Sequence, residues 1–136
     1  MDAVLESTLE SVDNAEESVL KVAGDLGFDE DDLHKIGIAV RESMVNAVVH
    51  GNRYNARKKV HLCVRAGGGR MTVVIQDEGD GFELSQVPDP LADENLLRHS
   101  GRGILLMQAF MDEFEMRPAQ PKGTEVRMVK YLEKAG

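Results

Sequence analysis

Three polar side chains, Glu42, Asn46 and His50, punctuate a stretch whose later part is mostly apolar. At spacings of i, i+4 and i+8 they span about 80° of one face of an α-helix. A carboxylate and an amide one turn apart suit hard-cation and hydroxyl chemistry. An Asn oxygen can ligate Mg²⁺, and a Glu can accept a proton. The plainer alternative is a stripe turned to solvent on a half-buried helix. A second cluster, QDEGDGF, brings Asp77, Gly79 and Gly81 together. Glycines there let backbone approach a flat ligand, and a carboxylate accepts hydrogen bonds from an amino group such as that of adenine. By itself the pattern is also an ordinary acidic turn. Gly101-Arg102-Gly103 stands immediately ahead of an apolar segment, ILLMQAFM. Backbone N–H groups and a helix dipole at such a place make an anion site, or simply a cap. Lys122-Gly123-Thr124 enters the last apolar segment and reads on its own as a hairpin turn.

These residues need elements to hold them. Residues 3–12 read weakly as a strand. Asn14 then looks like an N-cap, with Glu16 and Glu17 in the first turn, apolar Val19, Leu20, Val22, Ala23 and Leu26, and Gly27 as the stop. A second helix opens at the acidic run 29–32, which complements the positive end of its dipole, and runs to about Gly51. Met44, Val45, Ala47, Val48 and Val49 make its later half a buried helix. Val60, Leu62 and Val64 alternate with His61, Cys63 and Arg65 as a strand. Met71, Val73 and Ile75 do the same after Gly67-Gly68-Gly69, whose positive φ values suit a hairpin. From Asp77 to about Gly103 the periodicity fails, and a loop that long inside a compact domain is usually functional or disordered. A short helix and two closing strands around the turn AQPKG follow. The order β-α-α-β-β-loop-α-β-β predicts a two-layer α/β (α+β) fold with helices on one face of the sheet.

The composition narrows the function classes. The chain has 136 residues, the size of one domain, with no visible repeat or linker. Its 24 acidic and 16 basic residues give a net charge of −8, which disfavours direct grip on nucleic acid or an anionic membrane. The single cysteine, Cys63, excludes an internal disulfide and a Cys-based metal cage and fits a cytoplasmic location. We read Cys63 as a strand residue and not a nucleophile. No apolar run approaches the ~18 residues of a membrane span. His34, His61 and His99 form no metal spacing. Met71, Met107, Met111, Met116 and Met128 read as core filler.

The order of the four motifs is more specific than any one of them. E-x-x-x-N-x-x-x-H-G on a helix, D-x-G-x-G after a hairpin, a long loop, G-x-G at a helix and a G-T turn resemble the N, G1, G2 and G3 boxes of the GHKL ATP-binding superfamily. ESMVNAVVHGN, DEGDGF and GRGILLMQAFMDEF are similar to the small bacterial anti-sigma-factor serine/threonine kinases in particular, and the likeness covers nearly the whole chain. As read, the chain carries neither a phosphoacceptor helix ahead of the domain nor a second domain, so one domain over residues 1–136 is expected.

The resemblance implies a Bergerat-type fold, a mixed, mostly antiparallel sheet with helices on one face. It implies ATP and Mg²⁺ as cofactors. Glu42 would be the general base toward an attacking hydroxyl, and Asn46 would ligate Mg²⁺ on the ATP phosphates. His50 would sit near the same site. Asp77 would accept the adenine amino group, with Gly79 and Gly81 as pocket wall. Gly101, Arg102 and Gly103 would flank a mobile lid, from about Phe82 to Ser100, over the phosphates. Thr124 would help hold adenine through water. The partners implied are a sigma factor and a STAS-type anti-anti-sigma protein, the latter phosphorylated on serine or threonine in a partner-switching scheme. The same likeness implies a homodimer. The rival reading is an ATP-binding interaction module that sequesters a partner without kinase activity. A third, a structural α/β domain with an empty pocket, fits four ordered motifs poorly.

Overall fold

The computed structural model describes residues 1–79, 101–120 and 122–132, with backbone only at 101 and 102. The lid expected over 82–100, and Gly81 with it, lies outside the described residues. Strand β1 (Asp2–Leu5) leads into α1 (Leu9–Leu26) and α2 (Glu30–Val45), and α2 continues as a π-helical turn (Asn46–Gly51). Then come β2 (Val60–Gly67), β3 (Arg70–Gln76), α3 (Gly101–Phe110), β4 (Glu113–Pro118) and β5 (Thr124–Tyr131). The five strands form one sheet in the order β1-β2-β3-β5-β4. All four pairings are antiparallel.

Helix α1 starts earlier than the sequence suggested. Thr8, not Asn14, is its N-cap, and its hydroxyl accepts the Ser11 N–H at 3.2 Å. Residues 9–12, read as strand, are therefore the first turn of the helix. The reason lies in the buried stripe: Val12, Ala15, Val19 and Ala23 recur at helical spacing, and that stripe begins before Asn14. Gly27 ends the helix at φ 101°, its N–H bonding Gly24 O while the Phe28 N–H reaches Ala23 O. That is the paired-bond stop that a left-handed residue allows. Helix α2 is capped by Asp29, whose carboxylate accepts the Asp32 N–H at 2.8 Å.

Strands β2 and β3 join through Gly68 and Gly69, at φ 62° and 75°, the positive pair that a two-residue turn in a right-twisted hairpin requires. The register puts Leu62, Val64, Val73, Ile75, Val126 and Met128 on one face. They are buried there in one core with Val19 of α1 and Ile36, Val40 and Met44 of α2. Met71, Met107, Met111 and Met128 are buried in this core, and Met116 packs against it. With almost no aromatic volume available, flexible thioethers fill the irregular gaps. The helices thus cover one face. The other carries His61, Cys63, Val74, Gln76 and Arg127 by register. Burial pushes the Cys63 thiol up from its ordinary pKa, as suits a strand residue and not a nucleophile. Lys130 points to the helical face and is closed in by Asp32 at 3.7 Å and Asp112 at 3.6 Å, tying the start of α2 to the sheet. Among the described residues no helix is long and apolar enough to cross a membrane.

Candidate functional site

Glu42 and Asn46 lie one turn apart on the second helix, both partly buried, and the Asn46 N–H bonds the Glu42 carbonyl. From Asn46 the helix widens. The expected α-helix to Gly51 is instead α-helix to Val45 and a π turn beyond it, closed by Asn52 N–H to Ala47 O at 2.8 Å. The chain then leaves through Arg53 and Tyr54 at φ 50° and 59°. Left-handed geometry costs non-glycine residues roughly 1–3 kcal/mol each and collects, like π turns, at functional sites. His50, near the end of that turn, is exposed. The side-chain nitrogen of Asn46 is buried and has no hydrogen-bond partner among the described residues; the Ser43 hydroxyl is in the same condition. An unpaired buried amide is costly, so a missing partner is the natural reading of Asn46.

Asp77 leaves β3 into the crowded end of this turn. It is 5% exposed. Its Oδ1 accepts the Gly79 N–H at 2.9 Å and the Thr124 N–H at 3.1 Å. Its own N–H bonds the Thr124 carbonyl at 3.0 Å. Among the described residues both main-chain N–H groups that donate to the carboxylate fall on Oδ1, and neither reaches Oδ2. Burial pushes the carboxyl above the usual carboxylate range, against the two N–H groups and the charge of Lys58, which pull it down.

The space around Asp77 demands glycine. A Cβ on Gly79 would stand 2.1 Å from the Gly51 carbonyl oxygen, and one on Gly123 would stand 2.1 Å from the Asp77 carbonyl oxygen, at a φ of 104°. Gly51 itself faces the Asp77 carboxylate, where a Cβ would meet Oδ2 at 2.3 Å. Gly79, Gly123 and Thr124 therefore converge on Asp77.

Gly101, Arg102 and Gly103 do not precede α3; they are its first turn. No apolar period marks residues 101–103, so the sequence placed the start too late. The backbone N–H groups of that turn still lack intrahelical acceptors. Gly103 packs against Glu42, whose Oε2 lies 2.9 Å and Cβ 3.3 Å from where a Cβ would be. The carboxylate of Glu42 therefore sits at the N-terminal turn of α3.

Sequence reading missed Asn52 and Glu78. Asn52 is 1% exposed and links Ser7, Lys59 and Glu78. Glu78 holds the Lys59 N–H at 2.9 Å and His61 Nε2 at 2.7 Å, and these, the N–H first, draw its carboxyl below the usual range. The one available signal was a polar residue directly after the glycine that ends a buried helix.

The family model described as histidine kinase-like ATPase domain matches residues 5–130. The chain belongs to that family. Curated relatives include the anti-sigma F factors of Bacillus thuringiensis (strain Al Hakam), Bacillus mycoides (strain KBAB4) and Bacillus cereus (strain AH187). Each is 35% identical over 104 residues, covering 75% of this chain and 71% of the relative. The chain falls in the anti-sigma-factor branch of the histidine kinase-like ATPase family, and ATP is the ligand that this fold implies. The residues present fit a nucleotide. The glycine-walled carboxylate can take an amino group, and the first turn of α3 can take phosphate. They also fit a phosphate-bound Mg²⁺. Among the described residues no three His, Cys, Asp or Glu side chains form a cage. Mg²⁺ bound with nucleotide needs only one or two protein ligands, the rest being water and phosphate oxygen. The Asn46 side-chain oxygen could be one such ligand, while the side-chain nitrogen, unpaired among the described residues, is a donor and suits an acceptor such as a phosphate oxygen.

Proposed function

We propose that the protein is an anti-sigma regulator that binds MgATP and phosphorylates a serine or threonine of a STAS-type antagonist. The observation that carries the reading is the Glu42 carboxylate set against the N-terminal turn of α3, one helical turn from Asn46. Phosphoryl transfer needs positioning and charge neutralisation more than covalent help from the protein. Asp77 would receive the adenine amino group, with Gly79 and Gly81 as wall and Thr124 assisting. Asn46 would hold Mg²⁺, whose charge would neutralise the phosphates when bound. The backbone of Gly101, Arg102 and Gly103 would meet the same phosphates, with His50 at the rim. Glu42 would orient the attacking hydroxyl and take its proton. The unmodified antagonist would displace sigma; once phosphorylated, it would leave the kinase free to hold sigma. The names of the Bacillus relatives support a sigma-factor partner, and a net charge of −8 suits a basic one. The homodimer and the cytoplasmic location belong to the same reading.

Incubation with labelled MgATP and a cognate STAS protein tests it. The expected result is label on the STAS protein. Glu42→Gln should lower transfer by at least ~10³-fold, within the upper range for losing a positioned base, and still bind ATP. Transfer by Glu42→Gln at the wild-type rate refutes the role of Glu42. Nucleotide binding with no transfer by the wild type supports the binding-module reading instead.

A further inference from the structure

We propose that Asn52 is a positioning residue for Asp77, and that it sets the preference of the pocket for adenine over guanine. The proposal rests on the reading that Asp77 receives the adenine amino group. Adenine presents an amino donor where guanine presents a carbonyl acceptor, so a fixed carboxylate attracts one and repels the other. A carboxylate free to turn aside loses that discrimination. Asp77 is fixed through Oδ1, one of whose donors is the Gly79 N–H. The main chain between them is held at Glu78, whose N–H donates to Asn52 Oδ1 at 2.8 Å.

Asn52 is itself locked. Its Nδ2 donates to Ser7 Oγ at 2.9 Å and to Lys59 O at 2.9 Å, and its backbone N–H closes the π turn. Exchanging amide oxygen and nitrogen would set donor against donor at Glu78 and acceptor against acceptor at Lys59, so one orientation satisfies all three partners. Ser7 is anchored in turn, donating to Lys58 O. One buried amide therefore joins the β1–α1 junction, the exit of the π turn, the approach to β2 and the turn carrying Asp77. The neighbouring Gly51 presses on the Asp77 carboxylate from the same side. The Gly51-Asn52 dipeptide is one jaw of a clamp, and Gly123-Thr124 is the other.

Calorimetric affinities for MgATP and MgGTP, taken on the full chain well below each variant's melting temperature, test this. Asn52→Ala should lower the ATP-to-GTP affinity ratio by at least about tenfold, since it frees the Glu78 N–H. Ser7→Ala, which removes one anchor of the amide and lies away from the pocket, should lower it in the same direction by about threefold and serves if Asn52→Ala does not fold. Val64→Ala, a core truncation in β2, should lower the melting temperature and leave the ratio unchanged. A ratio within twofold of wild type in folded Asn52→Ala, or in Ser7→Ala where the first is unfolded, overturns the proposal. So does an equal loss in Val64→Ala, which would make the effect general loosening. A wild type that binds neither nucleotide, or both alike, removes the reading of Asp77 itself and this inference with it.

Discussion

Asp77 is buried with one carboxylate oxygen bound to two main-chain N–H groups, and that burial favours the neutral acid. A raised folded-state pKa means that the native chain holds the proton more tightly than the unfolded one. The contribution of Asp77 to stability is therefore greatest in acid and falls as pH rises from the unfolded value of 3.8 through the higher folded value. At neutral pH the charge works against folding and would be kept for the ligand. Asp77→Asn should accordingly leave the melting temperature at pH 7 without nucleotide unchanged or higher. Its advantage over wild type should shrink as the pH is lowered through that window. Thermal unfolding across pH checks this, and a clear loss of stability at pH 7 would mean that the two N–H bonds outweigh burial. Asp77 and Gly79 stood out in the sequence because the motif order singles them out. Asn52 did not, because a lone Asn after a helix-ending Gly carries no period or spacing of its own.

The second helix sets Glu42 and Asn46 one α-turn apart and then changes pitch. Constant α geometry kept Glu42, Asn46 and His50 on one face, whereas the helix turns π-helical from Asn46 and His50 is exposed. Hydrophobic pattern cannot reveal such a change, since Ala47 and Val48 are buried in either form. The element order, the glycine hairpin and the acidic cap of α2 were all readable because each rests on local chemistry. The start of α1 was misread because Asn14 is as good a cap in isolation as Thr8, and only the buried stripe decides between them. Where α2 meets α3, Gly103 leaves room for Glu42. In Gly103→Ala the new methyl would press on a movable carboxylate end and, less severely, on its Cβ. The expected outcome is a melting temperature lowered by only a few degrees, corresponding to about 1 kcal/mol. Transfer to the STAS protein should fall by at least tenfold, because the carboxylate is displaced. A kinase assay beside a melting curve checks both, and unchanged transfer would place Glu42 outside the reaction.

At the scale of the whole molecule, a five-stranded antiparallel sheet is covered on one face, and the proposed nucleotide site would lie at one end of the layers. There the exits of the π turn and β3, the entry of β5 and the first turn of α3 supply its parts. A ligand that bridges these segments stabilises the fold by linkage, so nucleotide should act on the entire chain and not on one loop. All of this depends on an adenine nucleotide seated against Asp77. Calorimetric titration of MgATP into the wild type and into Asp77→Asn tests that seat most directly. The expected result is saturable binding of one nucleotide per chain by the wild type, weakened at least about tenfold, or ~1.4 kcal/mol, in the variant. No saturable binding by the wild type up to millimolar MgATP, or equal affinity in the two proteins, contradicts it.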